Sequence, residues 1–196
     1  SITPEIVNTN FTYLEIDCNF KYNPNLTDRS SVELQSVVRD TISDYNFNNL
    51  NKFDGVFRHS QLTRAIDNSD PSILNTIIRP RMFQTITPSN VSTLPNDFSL
   101  SFTSPFYQSG NSTAFILTSS AFQINNVDHF FGDIPIAGST NRTVIVYKVV
   151  NLENVTVINN AGTIDITKGT LTLHSFLPDA TTDIKITVLP NSLDLA

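Results

Sequence analysis

Tryptophan is absent, cysteine and methionine occur once each, and glycine occurs only six times in 196 residues. Each shortage closes a class of chemistry. With Cys18 alone no intrachain disulfide can form, and no Cys-x-x-Cys pair is present to hold zinc or exchange electrons. So few glycines leave no phosphate-cradling loop, and neither a Gly-x-Ser-x-Gly elbow nor a His-Glu-x-x-His pair occurs. Charged residues make up 15% of the chain, with a formal net charge of −6. Lys and Arg are scattered, so the clustered cations that neutralise phosphates are missing and nucleic acid is not an expected partner. No apolar run approaches the roughly 20 residues of a membrane-spanning helix, and no secretory leader is read. The sequence opens on Ser1, not Met, which suggests a processed chain or a part of a longer one.

What is present is a chain with 39% apolar residues and a polar complement dominated by Asn, Ser and Thr. Its Asn-x-Ser/Thr triplets, at Asn10, Asn25, Asn90, Asn111, Asn141 and Asn154, are the number such a composition supplies by chance, and carry no expectation of glycosylation.

From Thr12 to Tyr22 the residues alternate strictly. Leu14, Ile16, Cys18, Phe20 and Tyr22 fall on one side; Glu15, Asp17, Asn19 and Lys21 fall on the other. That is a strand with one wet face. Ser30 and Glu33 then stand at capping-box spacing, ahead of a helical face formed by Leu34, Val37, Val38, Ile42 and Tyr45. A second, shorter helix is expected with Ser60 as its N-cap, His59 toward solvent, and Leu62, Ala65 and Ile66 inside. After an Asn-Ser-Asp-Pro turn, a strand from Ile73 to Ile86 should place Leu74, Thr76, Ile78, Met82 and Ile86 on one side. Pro80 within it implies an edge or a bulge.

Beyond Pro95 no amphipathic helix is found. Strands are expected at Phe98–Thr103, Thr113–Thr118, Thr143–Val150, Val155–Ile158 and Asp183–Leu189. A hairpin is expected from Thr163–Ile166 and Thr170–His174. The fold class is therefore α+β. A small strand-helix-helix-strand unit at 1–95 is followed by a sandwich-like or partial-barrel β domain at 96–196.

Candidate chemistry is thin. Asp128, His129 and Asp133 are the one compact set that resembles metal ligands, but the interleaved Phe130 and Phe131 suggest a loop anchored to a core. Cys18 lies on the apolar face of its strand, where a reactive thiol is not expected. Glu15 and Asp17, two apart on a wet face, read as solvated. No catalytic set, metal site or cofactor is expected.

The most distinctive stretch is KFDGVFRHSQLTRAIDNSDPSILNTII, from Lys52 to Ile78. Phe53 and Phe57 bracket a turn at Asp54-Gly55, and a short helix leads through an Asp-Pro turn into a strand. The pattern of Phe53, Phe57, Arg58, Ser60, Leu62, Ile66, Asp67 and Ile73 resembles the wedge protein of the inner baseplate ring of T-even-type contractile-tail phages, within the J-like baseplate family. The upstream LEIDCNFKYNP and LQSVVRDTI runs match the same unit. The downstream NNAGTIDITKGTLTLHSF and DIKITVLP runs resemble the family's closing hairpin region. Residues 96–140 carry no resemblance.

The resemblance implies the C-terminal part of a longer structural subunit without catalytic activity. It implies a homodimer that contacts other baseplate wedge proteins and joins wedges into a ring. It places the protein in the virion tail baseplate, assembled in the host cytoplasm. It also implies a dimer contact in the β half, for which Ile184, Ile186 and Val188 are candidates. Edge strands are natural docking sites, and the Pro80 strand and the last strand are the two that suggest themselves. The competing reading is a carbohydrate-binding or adhesin-like β module of a phage fibre or cell surface. It would need an aromatic platform such as an exposed Tyr107 or Tyr147.

Overall fold

The computed structural model describes residues 11–52, 55–88, 96–102, 104–110 and 113–195, with the backbone alone for Asn96 and Ser175. Phe53, Asp54, Pro95 and Thr103 lie outside the described residues. The architecture is α+β, and the chain divides into two compact units. One holds Glu15–Arg81 together with residues from Ser192 onward; the other holds Met82–Asn191 together with residues up to Leu14.

The first unit is built from β1 (Tyr13–Tyr22), α1 (Ser31–Tyr45), α2 (His59–Asp67) and the first part of β2 (Ile73–Ile86). The alternation of β1 is realised, with Glu15, Asn19 and Lys21 exposed and Ile16, Cys18 and Phe20 half-buried. α1 begins in the capping box: the Ser30 hydroxyl accepts from the Glu33 N–H, and the Glu33 carboxylate accepts from the Ser30 N–H at 2.7 Å. α1 buries Leu34, Val38 and Tyr45. Five residues of π-helix, Asn46–Leu50, finish it. α2 buries Leu62 and Ile66. Asp70 closes the turn before β2 by accepting from the N–H and hydroxyl of Ser72.

Three expectations in this region are corrected. Ser60 does not cap α2; the N-cap position is Arg58, whose side chain does not cap. His59 is half-buried, with Nε2 3.1 Å from the Ile78 carbonyl, and does not point to solvent. Leu74 is exposed and Ile73 buried, because alternation starts only at Thr76 and then holds through Ile78, Pro80, Met82, Gln84 and Ile86.

In the second unit the strands are β3 (Asn96–Ser101), β4 (Leu117–Ser119), β5 (Phe122–Ile124), β6 (Val127–Pro135), β7 (Asn141–Val150), β8 (Glu153–Asp165), β9 (Thr170–Phe176) and β10 (Ile184–Val188). Two sheets result, in the orders β1-β2-β10-β4 and β3-β9-β8-β7-β6-β5. β2 and β10 therefore each have two neighbours, and neither is the edge strand expected of it. The described pairing with β10 runs from Ile86 only to Met82, so Pro80 lies just past it, where a missing N–H costs that ladder nothing. The expected hairpin forms, with Asp165 opposite Thr170. Its first strand is longer than expected, since Val155–Ile158 and Thr163–Ile166 merge into β8. Phe130 and Phe131 lie on β6, not in a loop. Phe131 packs with Phe122 and Phe176, at ring separations of 4.7 and 5.0 Å, while Phe130 stacks on Tyr147 from the other face of the strand.

Two hairpins turn on paired residues with positive φ: Asn125-Asn126 at 54° and 59°, and Asn151-Leu152 at 53° and 69°. Two-residue hairpin loops of this geometry match the twist of their strands. Asn tolerates the left-handed region, whereas for Leu it is an outlier that costs about 1–2 kcal/mol.

β7 and β8 also outrun their neighbours. β6 accompanies β7 only as far as Tyr147, and β9 accompanies β8 only from Gly162 onward. Register shifts between Val144 and Tyr147 leave extra residues on the β8 side and bend it there. At the root of the bend, Gly162 has a φ of 153°, and a Cβ there would run into the Thr172 carbonyl. Residues 148–161 thus form a two-stranded arm. Among the described residues, no strand pairs with its outer edges.

Candidate functional site

The residues that carry the Lys52–Ile78 signature are mostly committed to packing. Phe57, Leu62, Ile66 and Ile73 are buried, and the Phe57 ring meets Tyr45 edge-on at 6.1 Å. The Tyr45 hydroxyl accepts from the Arg58 N–H at 2.9 Å, which ties α1 to the entry of α2. Ser60 is exposed on the first turn of α2. Asp67 ends the helix half-buried, and its Oδ1 has no hydrogen-bond partner among the described residues.

α2 is capped from a distance. The Asp194 carboxylate accepts from the His59 N–H at 2.9 Å and pairs with the exposed Arg58 guanidinium at 3.2 Å. One residue on, Leu195 is buried and exchanges both backbone hydrogen bonds with Phe57, at 2.7 and 2.9 Å. A helix N-terminus presents free N–H donors and a partial positive charge, so a carboxylate serves there as well as a local hydroxyl. The His59 N–H, followed by Arg58, holds the Asp194 carboxyl below its ordinary range.

The other shifted carboxylates also do structural work. Asp179 accepts from the N–H groups of Asn126 and Asn125 and is lowered by them, which braces the β5–β6 turn. Asp165 is lowered by the Thr167 hydroxyl and the Lys168 N–H at the β8–β9 tip. Asp70 is lowered by the Ser72 hydroxyl and N–H, and pairs with Arg29 at 2.8 Å. These acids read as turn and cap residues, each engaged by its own segment or by one partner segment.

The metal-like set does not converge. Asp133 and Arg142 form a buried ion pair. Asp133 also accepts from the N–H groups of Ile116 and Leu117 at 2.8 Å, and Arg142 donates to the Ala114 carbonyl at 2.9 Å. His129 is buried with Nδ1 2.7 Å from its own segment's Val127 carbonyl, and Asp128 accepts from Gln123 on the exposed side. Among the described residues no group of three or more His, Cys, Asp or Glu is placed to hold a metal ion. Cys18 is half-buried, and burial, then Asp17 and Asp67, push its thiol up, away from the reactive thiolate. Tyr147 is sandwiched by Phe115 and Phe130 at 5.3 and 5.6 Å and its hydroxyl is pushed up by burial, so its ring is packing and not a sugar platform. Tyr107 is partly exposed.

Ile184, Ile186 and Val188 are each at most 1% exposed on a strand flanked on both sides. They are core residues of the protomer, so a contact formed by the β half has to use other side chains. Among the exposed apolar residues of that half, Val149, Val150, Leu152, Val155 and Val157 lie on the β7–β8 arm, and others, such as Val127, Ile134, Ile136 and Leu193, lie elsewhere. Sequence reading missed the Asp194 cap and the Asp133–Arg142 pair, since each joins segments far apart in the chain.

No curated protein matches the chain. A family model described as baseplate structural protein gp6, C-terminal domain III, matches residues 10–85. The match spans β1, α1 and α2 and ends one residue before the end of β2. It thus falls on the strand-helix-helix-strand unit whose signature side chains are spent on packing. Over residues 10–85 the chain is thus similar to C-terminal domain III of the baseplate structural protein gp6.

Proposed function

We propose that the chain is the C-terminal part of a baseplate wedge subunit whose work is protein–protein contact, pairing with a second copy and joining neighbouring wedges into the inner ring of the tail baseplate. The observation that carries this reading is the domain III match laid over a packing signature. A subunit selected to hold a ring in shape keeps residues that fix its form; a catalyst keeps residues that converge on a cleft. The acids of the chain support the same reading, because those with lowered carboxyls are taken up by caps and turns. The low charge content leaves surfaces that can be covered by a partner without burying many ions. In this reading the protein resides in the virion and is assembled in the host cytoplasm.

Antibody raised against the chain should label the baseplate end of intact tails when particles of the encoding phage are viewed by electron microscopy. The chain should also co-purify with the other wedge proteins when they are expressed together. Label confined to fibres, or to no part of the particle, would overturn the reading.

A further inference from the structure

We propose that residues 192–195 are seated as a ligand in a peptide groove at the start of α2, and that the groove takes the class of peptide they represent. That class is an extended segment in which a carboxylate residue precedes a leucine-sized apolar one. The chain's own tail fills the groove as a detachable strap, and so keeps other segments of that chemistry out.

Three kinds of contact make the groove, and each is one by which proteins take up separate peptides. The first is a helix N-terminus without a local acceptor. The Arg58 side chain does not cap α2, and the Asp194 carboxylate takes the His59 N–H at 2.9 Å and the Arg58 guanidinium at 3.2 Å. The second is a stretch of extended backbone. Phe57 and Leu195 stand opposite each other as an antiparallel pair and exchange both hydrogen bonds, at 2.7 and 2.9 Å. The third is an anchor: Leu195 is 5% exposed, opposite a Phe57 that is 2% exposed. Adjacent positions of the strap meet the cap and the anchor, which sets the order of acid first and apolar residue second.

The hold on the strap is confined to those two residues. Ser192 and Leu193 are exposed, and the Ser192 hydroxyl is spent locally, accepting from the Asp194 N–H. Asn191, one residue earlier, donates to the Pro105 carbonyl and belongs with the other unit. The strap lies outside every helix and strand, and its ion pair is exposed on both sides, where water competes for it. A segment held by so few buried contacts opens locally at a free energy below that of the whole fold. On opening, the Phe57 backbone, the His59 N–H and the place of the Leu195 side chain are vacated together. What remains is complementary to the segment that left.

The test begins with the parent chain, in native-state hydrogen exchange at denaturant concentrations below the unfolding transition. The amides of Phe57, His59 and Leu195 should exchange as a set, about tenfold or more faster than the Val38 amide inside α1. Exchange of all three only on global unfolding would overturn the proposal, because the strap would then be a fixed part of the fold. The second step uses the double variant Asp194→Ala/Leu195→Ala, whose own tail cannot seat, and adds a blocked synthetic peptide of residues 191–195 of the parent sequence. The peptide should bind saturably at one per chain and slow the Phe57 and His59 amides by about tenfold. The same peptide carrying the two substitutions should do neither. A folded variant that takes no peptide, or takes both alike, overturns the groove. If the double variant does not fold, exchange in the parent chain decides.

Discussion

Phe57 sits where three parts of the first unit meet: its ring against Tyr45 of α1, its backbone paired with Leu195, and α2 starting two residues later. Phe57→Ala should cost about 3–5 kcal/mol, read as a lowered denaturant midpoint; near-parental stability would mean the ring is not core. Arg142→Met should also cost about 3–5 kcal/mol, because it leaves the Asp133 carboxylate buried without its cation. Adding Asp133→Leu should not restore stability. The carboxylate also satisfies two backbone N–H groups that Leu cannot. Recovery in the double variant would show that the pair acts as a simple charge couple. The importance of Phe57 was legible in the sequence because an aromatic beside a helix start is a local signal. The Asp133–Arg142 pair was not, because its value depends on β6, β7 and the segment before β4 coming together.

At the scale of elements, the α2 cap has a pH signature. The Asp194 carboxyl is lowered in the folded state, so its contribution is present above the ordinary carboxylate range and is lost as pH falls through the lowered value. Hydrogen exchange at the first-turn amides of α2 should therefore quicken on acidification, and Asp194→Asn should flatten that dependence. An unchanged pH profile in the variant would remove Asp194 from this role. In the β7–β8 turn, Leu152→Gly should raise protomer stability by about 1 kcal/mol, since it relieves the left-handed Leu; a loss of stability would show that the side chain is held within the protomer. Local rules served well where both partners were near in sequence, as in the Ser30–Glu33 box and the alternation of β1. The same rule misled at Ser60, where a cap residue was sought nearby and the actual carboxylate lies 135 positions away. β5 and β6 were missed although Asn125-Asn126 is a hairpin signal. Apolar side chains on both faces of β6, Phe130 on one and Phe131 on the other, hid the alternation.

For the whole molecule, charge sets a further expectation. With a net charge of −6, mutual repulsion opposes pairing, and added salt screens it. Self-association should therefore tighten as ionic strength rises; weakening with salt would point to an interface held by ion pairs. The α+β class was readable from periodicity, because helices and half-buried strands print distinct repeats. The arm was not, since nothing in Lys148–Ala161 says that neighbouring strands stop short of it.

The long reach from His59 to Asp194 also fixes a sequence in time. A ribosome adding about 5–20 residues per second needs on the order of ten seconds to travel from one to the other. Through that interval the nascent helix has no lid on its first turn, and the strands of the other unit are made before the residue that closes it. Completion of the unit that holds α2 is thereby deferred until nearly all of this sequence has been translated.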